Sequence, residues 1–142
     1  MFKAGLILLF LSTTLVISLN GQETYANGQL KFKGKFKSDS IAVGKHTHWY
    51  ENGQIKSFGA YKNGKKNGKF SEYYADGKLK FEGAFSVGTA NGIHKHFYES
   101  GDPKQQESLK NNIKQGLCIY WWSNGNKRLE VELLDDTIKN GL

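Results

Sequence analysis

The 142-residue chain has one cysteine, one proline, one methionine and, among 20 basic residues, one arginine. A lone Cys118 excludes an intramolecular disulfide framework, so the fold must be held by packing and hydrogen bonds alone. The thiol is expected to be a small, half-buried strand residue rather than a reactive group. With Arg128 as the sole guanidinium, the chain lacks the planar forks on which nucleic-acid readers depend. Its formal charge of +7, carried by scattered lysines, favours acidic or anionic partners in general and not nucleic acid. Other things are missing too. No segment after Gln22 repeats its apolar residues at three and four positions, so no stable helix is expected. There is no Gly-x-Ser-x-Gly elbow, no glycine-rich loop leading from a strand into a helix, and no set of nucleophile, base and orienting group. The sequence therefore predicts a protein that is not an enzyme and needs no cofactor.

Long apolar runs are scarce, with one exception at the start. Lys3 precedes an apolar stretch over residues 6–19, which is interrupted by Ser12, Thr13 and Thr14. This is shorter than the roughly 20 residues a membrane span requires, and it has no basic stop-transfer flank. Residues 1–21 read as a signal peptide, with cleavage between residues 20 and 23, and the protein reads as exported: periplasmic, in the cell envelope or secreted. Residues 22–142 are then the mature domain, and its charge is +6 once Lys3 leaves.

Glycine is abundant, and its spacing organises the chain. Gly28, Gly53, Gly77, Gly101 and Gly125 recur at intervals of 25, 24, 24 and 24 residues, and Gly44, Gly68, Gly92, Gly116 and Gly141 at 24, 24, 24 and 25. Two interlocked series define five units starting near residues 25, 50, 74, 98 and 122. Within each unit, residues after the first glycine alternate, as Leu79, Phe81, Gly83 and Phe85 do with Lys78, Lys80, Glu82 and Ala84. Period two predicts a strand. A second short strand follows the later glycine. Between the strands stand Gly64, Gly88, Asn112 and Asp136, residue types that tolerate left-handed backbone and mark turns. An aromatic-x-(Asn/Asp/Ser)-Gly turn closes each unit, in which the side chain of Asn27, Asn52, Asp76, Ser100 or Asn124 can bond nearby backbone. The fold class is all-β, an elongated, twisted antiparallel sheet of tandem hairpins.

Gly34, Gly59 and Gly83 fall in mid-strand, where glycine normally weakens a sheet. The missing side chain makes room for an aromatic ring from a neighbouring strand. The rings expected to do this are the paired aromatics Trp49 and Tyr50, Tyr73 and Tyr74, Phe97 and Tyr98, Trp121 and Trp122, one of each pair facing the core. The string G-x-Y-x-N-G-K-x-x-G over residues 59–68, followed by a strand ending in two aromatics and x-N-G, resembles the MORN repeat, specifically its bacterial variant. The resemblance extends over residues 25–142. It implies stacked hairpins, and functions that range from membrane attachment to an antitoxin-like role. The fourth and fifth units depart from the pattern, with Glu107 and Val131 in place of the strand glycine and Pro103 at a strand start, so that end is expected to be less regular.

Three functional readings follow. The first is a protein-binding or scaffolding module whose surface is the ladder of paired aromatics together with lysines; repeats offer extended faces, and tyrosine and tryptophan suit interfaces. The second is attachment to anionic lipid through the dense patch Lys62, Lys65, Lys66 and Lys69, or antitoxin-like neutralisation of a protein. The third is carbohydrate stacking on the same rings. The His-x-His pairs His46 and His48, His94 and His96 are weak metal candidates, since each pair offers two ligands where a site needs three or four. They are expected to face solvent. Finally, the fifth unit ends just past Gly141, so its first strand should lack a partner on one side and leave residues 129–134 as an edge open to another chain or a second copy.

Overall fold

Alternation becomes strand throughout the computed structural model, which describes residues 19–37 and 40–138. The strands are β1 (Leu19–Thr24), β2 (Leu30–Phe36), β3 (Ala42–Trp49), β4 (Ile55–Lys62), β5 (Lys65–Tyr73), β6 (Leu79–Ser86), β7 (Thr89–Phe97), β8 (Pro103–Lys110), β9 (Ile113–Lys114), β10 (Gly116–Trp121), β11 (Lys127–Leu134) and β12 (Thr137–Ile138). They form one open antiparallel sheet in chain order, with β9 lying off the main path against β8. No α-helix occurs among the described residues. Residues 19–21, placed in the expected leader, pair with β2 as the first half of β1. The rest of that leader lies outside the described residues.

Two kinds of turn alternate along the two margins. At one margin the hairpins β4–β5, β6–β7, β8–β9 and β11–β12 turn through Asn63–Gly64, Val87–Gly88, Asn111–Asn112 and Asp135–Asp136, with both residues of each pair at positive φ. Such two-residue turns match the right-handed twist of the flanking strands. Their second amides bond back to the preceding unit, Gly64 to the Ala42 carbonyl at 2.9 Å and Gly88 to that of Lys66 at 2.7 Å. At the opposite margin the x-Gly turns close as expected. The amide two residues on donates to Asn27, Asn52, Asp76 and Asn124 at 3.0 Å and to Ser100 at 3.3 Å. The side-chain amides of Asn27 and Asn52 also donate to the Glu51 and Ala75 carbonyls of the following units at 3.3 and 2.7 Å, so the chain is stitched from unit to unit at both margins as well as across the strands.

The fifth unit corrects one expectation. Its first strand, β11, is not bare: β10 covers one side, and β12 pairs Leu133 with Ile138 and Leu134 with Thr137 on the other. Asp135 and Asp136 supply the tight turn that brings the chain back before Gly141. Among the described residues, β12 thus covers β11 at Leu133 and Leu134.

Candidate functional site

The two faces of the sheet differ in kind. One is a continuous row of rings in which Phe32, His46, Phe70, Phe81 and His94 are buried. Phe32 packs on His46 at 5.4 Å, His46 on Tyr61 at 4.7 Å, Tyr61 on Phe70 at 5.3 Å, Phe70 on Phe85 at 5.9 Å and Phe85 on His94 at 5.0 Å. The mid-strand glycines let these rings descend onto the backbone. A methyl group at Gly59 would meet the Phe70 ring at 2.3 Å, at Gly34 the Phe32 ring at 2.5 Å, and at Gly83 the Phe81 ring at 2.7 Å and His94 at 2.8 Å. Room for a ring is thus the reason for the glycines, but the rings are not the expected ones.

The paired aromatics do other work. Tyr25, Tyr50, Tyr74 and Tyr98 open the x-Gly turns, and each hydroxyl donates at 2.8 Å to the last carbonyl of its own unit's second strand, on Trp49, Tyr73, Phe97 and Trp121. These residues are half-buried, whereas Trp122 is exposed. They form a margin ladder and not the core.

The histidines also correct the reading. His46 and His94 do not face solvent; they are 5% and 6% exposed. Nε2 of His46 donates at 2.8 Å to the Lys35 carbonyl, and that of His94 at 2.8 Å to the Ala84 carbonyl, so each buried imidazole has its N–H satisfied by backbone. They occupy the place that Phe70 fills in the intervening unit, as ring-shaped fillers with a satisfied N–H. His48 is exposed and His96 half-buried, their rings tilted against Phe32 and Phe81 at 4.8 Å. Loss of solvation against these rings lowers both imidazole pKa values, aided by the neighbouring His46 or His94 and by Lys56 or Lys104. No group of three or more candidate metal ligands assembles among the described residues.

At the C-terminal end the same space is filled the other way round. Glu107 stands where the glycine would be and Cys118 where the ring would be; they are 7% and 0% exposed. The cysteine is thus wholly buried and not half-buried. The Glu107 carboxylate meets Lys114 Nζ at 2.6 Å and accepts from the Tyr120 hydroxyl at 2.6 Å. Burial works against its charge, but the bonds from Lys114 and Tyr120 outweigh that and hold it below the usual carboxylate range. Lys114 is correspondingly held above the ordinary lysine value, chiefly by its bond to Glu107. The expected irregularity appears here as a break at Gln115, which splits the second strand of this unit into β9 and β10.

Neighbouring strand residues point opposite ways, so the other face carries Lys33, Lys35, Lys45 and Lys69 with the exposed apolar side chains Phe58, Ile93 and Leu117. Ile93 is 54% exposed. The expected basic patch is divided between the two faces. Lys66 lies over Phe70 and Phe85 at 4.4 and 5.0 Å on the ring face, while Lys69 lines a shallow hollow with Ser71, Glu82, Ile93 and Lys95 on the other. Lys62 and Lys65 pair across a hairpin tip.

A further series escaped the reading of the sequence. In every unit the first strand slips register once against the strand before it, leaving Lys31, Lys56, Lys80, Lys104 or Arg128 as the unpaired extra residue of a bulge. Each cation lies over the ring that opens its turn: Tyr25 at 6.0 Å, Tyr50 at 5.4 Å, Tyr74 at 5.5 Å, Tyr98 at 5.4 Å and Trp122 at 5.1 Å. The signal was present in the 25- and 24-residue spacing of these cations. It was hidden because strict alternation assigns them to the opposite face, and only a bulge re-aims them.

Comparison with known families agrees with this architecture. The MORN repeat variant family matches residues 42–63, 66–86 and 90–111, and the MORN repeat family matches 108–127. The three segments of the variant are offset by half a unit from the hairpins counted from Tyr25, each taking a second strand and the first strand that follows, and the fourth segment runs from the end of β8 to the start of β11. No curated protein matches the chain. MORN repeats are generally involved in binding or scaffolding, often with membranes, and are generally non-catalytic. The tandem hairpins, their 24-residue period and these matches together make the chain a MORN-repeat protein.

Proposed function

We propose that the protein is a non-catalytic binding module of the cell envelope or exterior, which holds a protein partner on its open sheet face. The observation that supports this reading is the asymmetry of the faces. The ring face seals itself, whereas the other leaves Phe58, Ile93 and Leu117 exposed among lysines in successive units. Apolar anchors rimmed by charge are how interfaces are built. Export is supported by the apolar stretch behind Lys3.

The test is site-specific photo-crosslinking of the full chain in its native cells. A photoreactive residue placed at Phe58, Ile93 or Leu117 should trap one and the same protein, and one placed at the exposed turn residue Glu51 should not. Equal trapping from all four positions, or none from the face, contradicts the proposal.

A further inference from the structure

The bulged cations lie together on a surface distinct from the open face. Lys56 and Lys80 line one hollow with Tyr50, Tyr73, Ser57 and Glu72, and Ser57 and Glu72 are cross-strand partners on the ring face. Lys56 also bears on His48, and Lys104 on His96, both ring-face residues. Arg128 reaches over Tyr120 as well as Trp122. The bulge in each unit has therefore turned one cation onto the ring side of the tyrosine margin. All five cations are exposed; Lys31 has Glu23 at 3.7 Å, and none of the other four is in an ion pair within 4 Å among the described residues.

We infer that this row is a binding site for an acidic polysaccharide, which runs across the strands with one acidic group on each bulged cation and one sugar against each flanking ring. Spacing is the first argument. Successive rungs are two strands apart, or roughly 9.6 Å at about 4.8 Å per strand. That is close to the length of one disaccharide in an extended glycan, and it is much longer than the axial rise of about 3.4 Å per phosphate on one strand of a duplex. Shape is the second argument. The cations form a line and not a patch, which suits a chain better than the plane of a membrane. Composition is the third: the hollow between the Lys56 and Lys80 rungs also offers the Ser57 hydroxyl, the Glu72 carboxylate and two tyrosine rings. A carboxylate opposes a dense phosphate surface but accepts hydrogen bonds from sugar hydroxyls, and the rings provide apolar faces for pyranose stacking.

The full chain should be titrated calorimetrically with a hyaluronan decasaccharide, which carries one carboxylate per disaccharide, and with polygalacturonate. The wild type should bind at least one of them, with affinity falling as salt rises. The triple variant K56Q/K80Q/K104Q should bind on the order of a hundredfold more weakly, at roughly fivefold per lysine, the contribution typical of a lysine facing an anionic surface. The triple K33Q/K45Q/K69Q removes the same charge from the open face and should lose less than about threefold. Thermal melts confirm that both triples fold, and Lys80→Glu, a single exposed change, repeats the test should either melt early. Failure to bind both glycans overturns the inference, as does equal weakening by the two triples. So does tighter binding of phosphatidylglycerol vesicles or a single-stranded oligonucleotide that the ladder triple also abolishes. Crosslinking from Phe58 with the ladder triple shows separately whether the partner surface is intact, so either proposal can fail alone.

Discussion

The first three units and the fourth solve the same packing problem with opposite assignments. In the former a glycine on the first strand accepts a ring from the second: Gly34 with His46, Gly59 with Phe70, Gly83 with His94. In the fourth unit the large group, Glu107, is on the first strand, and the small one, Cys118, on the second. What the repeat conserves across its period is thus a shared volume between two strands and not a residue type. The exchange brings a cost in kind. A phenyl ring on glycine needs no polar partner and an imidazole only one carbonyl, whereas a buried carboxylate needs the bonds that Lys114 and Tyr120 provide.

The largest effect that sharpens this contrast comes from filling a glycine. Gly59→Val forces a side chain into the Phe70 ring and should cost about 3 kcal/mol, the upper end of ordinary overpacking. Val131→Gly, in a half-buried position of the fifth unit, should cost about 1 kcal/mol. Urea midpoints of the two variants measure the difference; equal losses would mean that the first units do not depend on their glycines.

Acid should separate the two regions by pH. The imidazoles of His48 and His96 titrate below their ordinary value of 6.5 in the folded chain, so the unfolded chain binds more protons in that window. Their contribution is complete above that value and is lost as pH falls through the folded pKa values. Glu107, held below its ordinary 4.5, keeps its contribution until lower pH and then loses it. Melting temperature should therefore decline in two stages on acidification. His48→Gln with His96→Gln should remove the first stage, and Glu107→Gln should remove the second.

A smaller effect distinguishes the hairpin tips. Val87 is β-branched yet sits at φ 46°, where the equivalent residues are Asn63, Asn111 and Asp135. Valine is strained in that region and asparagine is not. Val87→Asn should stabilise by about 1 kcal/mol, read as a higher melting temperature, while the reverse change Asn63→Val should destabilise by a similar amount.

Much of this was legible because glycine and turn residues act locally. The five x-Gly turns, the left-handed tips and the strand alternation follow from backbone preferences that a sequence displays directly. Which ring covers Gly59 was not legible, because Phe70 and the pair Tyr73 and Tyr74 are all aromatic and only the register selects among them. The burial of His46 and His94 was missed for a related reason. Imidazole reads as polar, but its position in the repeat is that of Phe70, and a carbonyl satisfies its N–H. The bulged cations required knowing where pairing slips, which alternation alone cannot indicate.

The claim that both ends obey one volume rule is tested most directly by a double-mutant cycle at Glu107 and Cys118, followed by urea denaturation. Glu107→Gly alone should leave a void and strand Lys114, and Cys118→Phe alone should crowd Glu107. Together they recreate the glycine and ring of the earlier units, so the double variant should be more stable than the sum of the single losses predicts, with a coupling energy of about 1 to 3 kcal/mol. Strict additivity of the two losses would contradict the account.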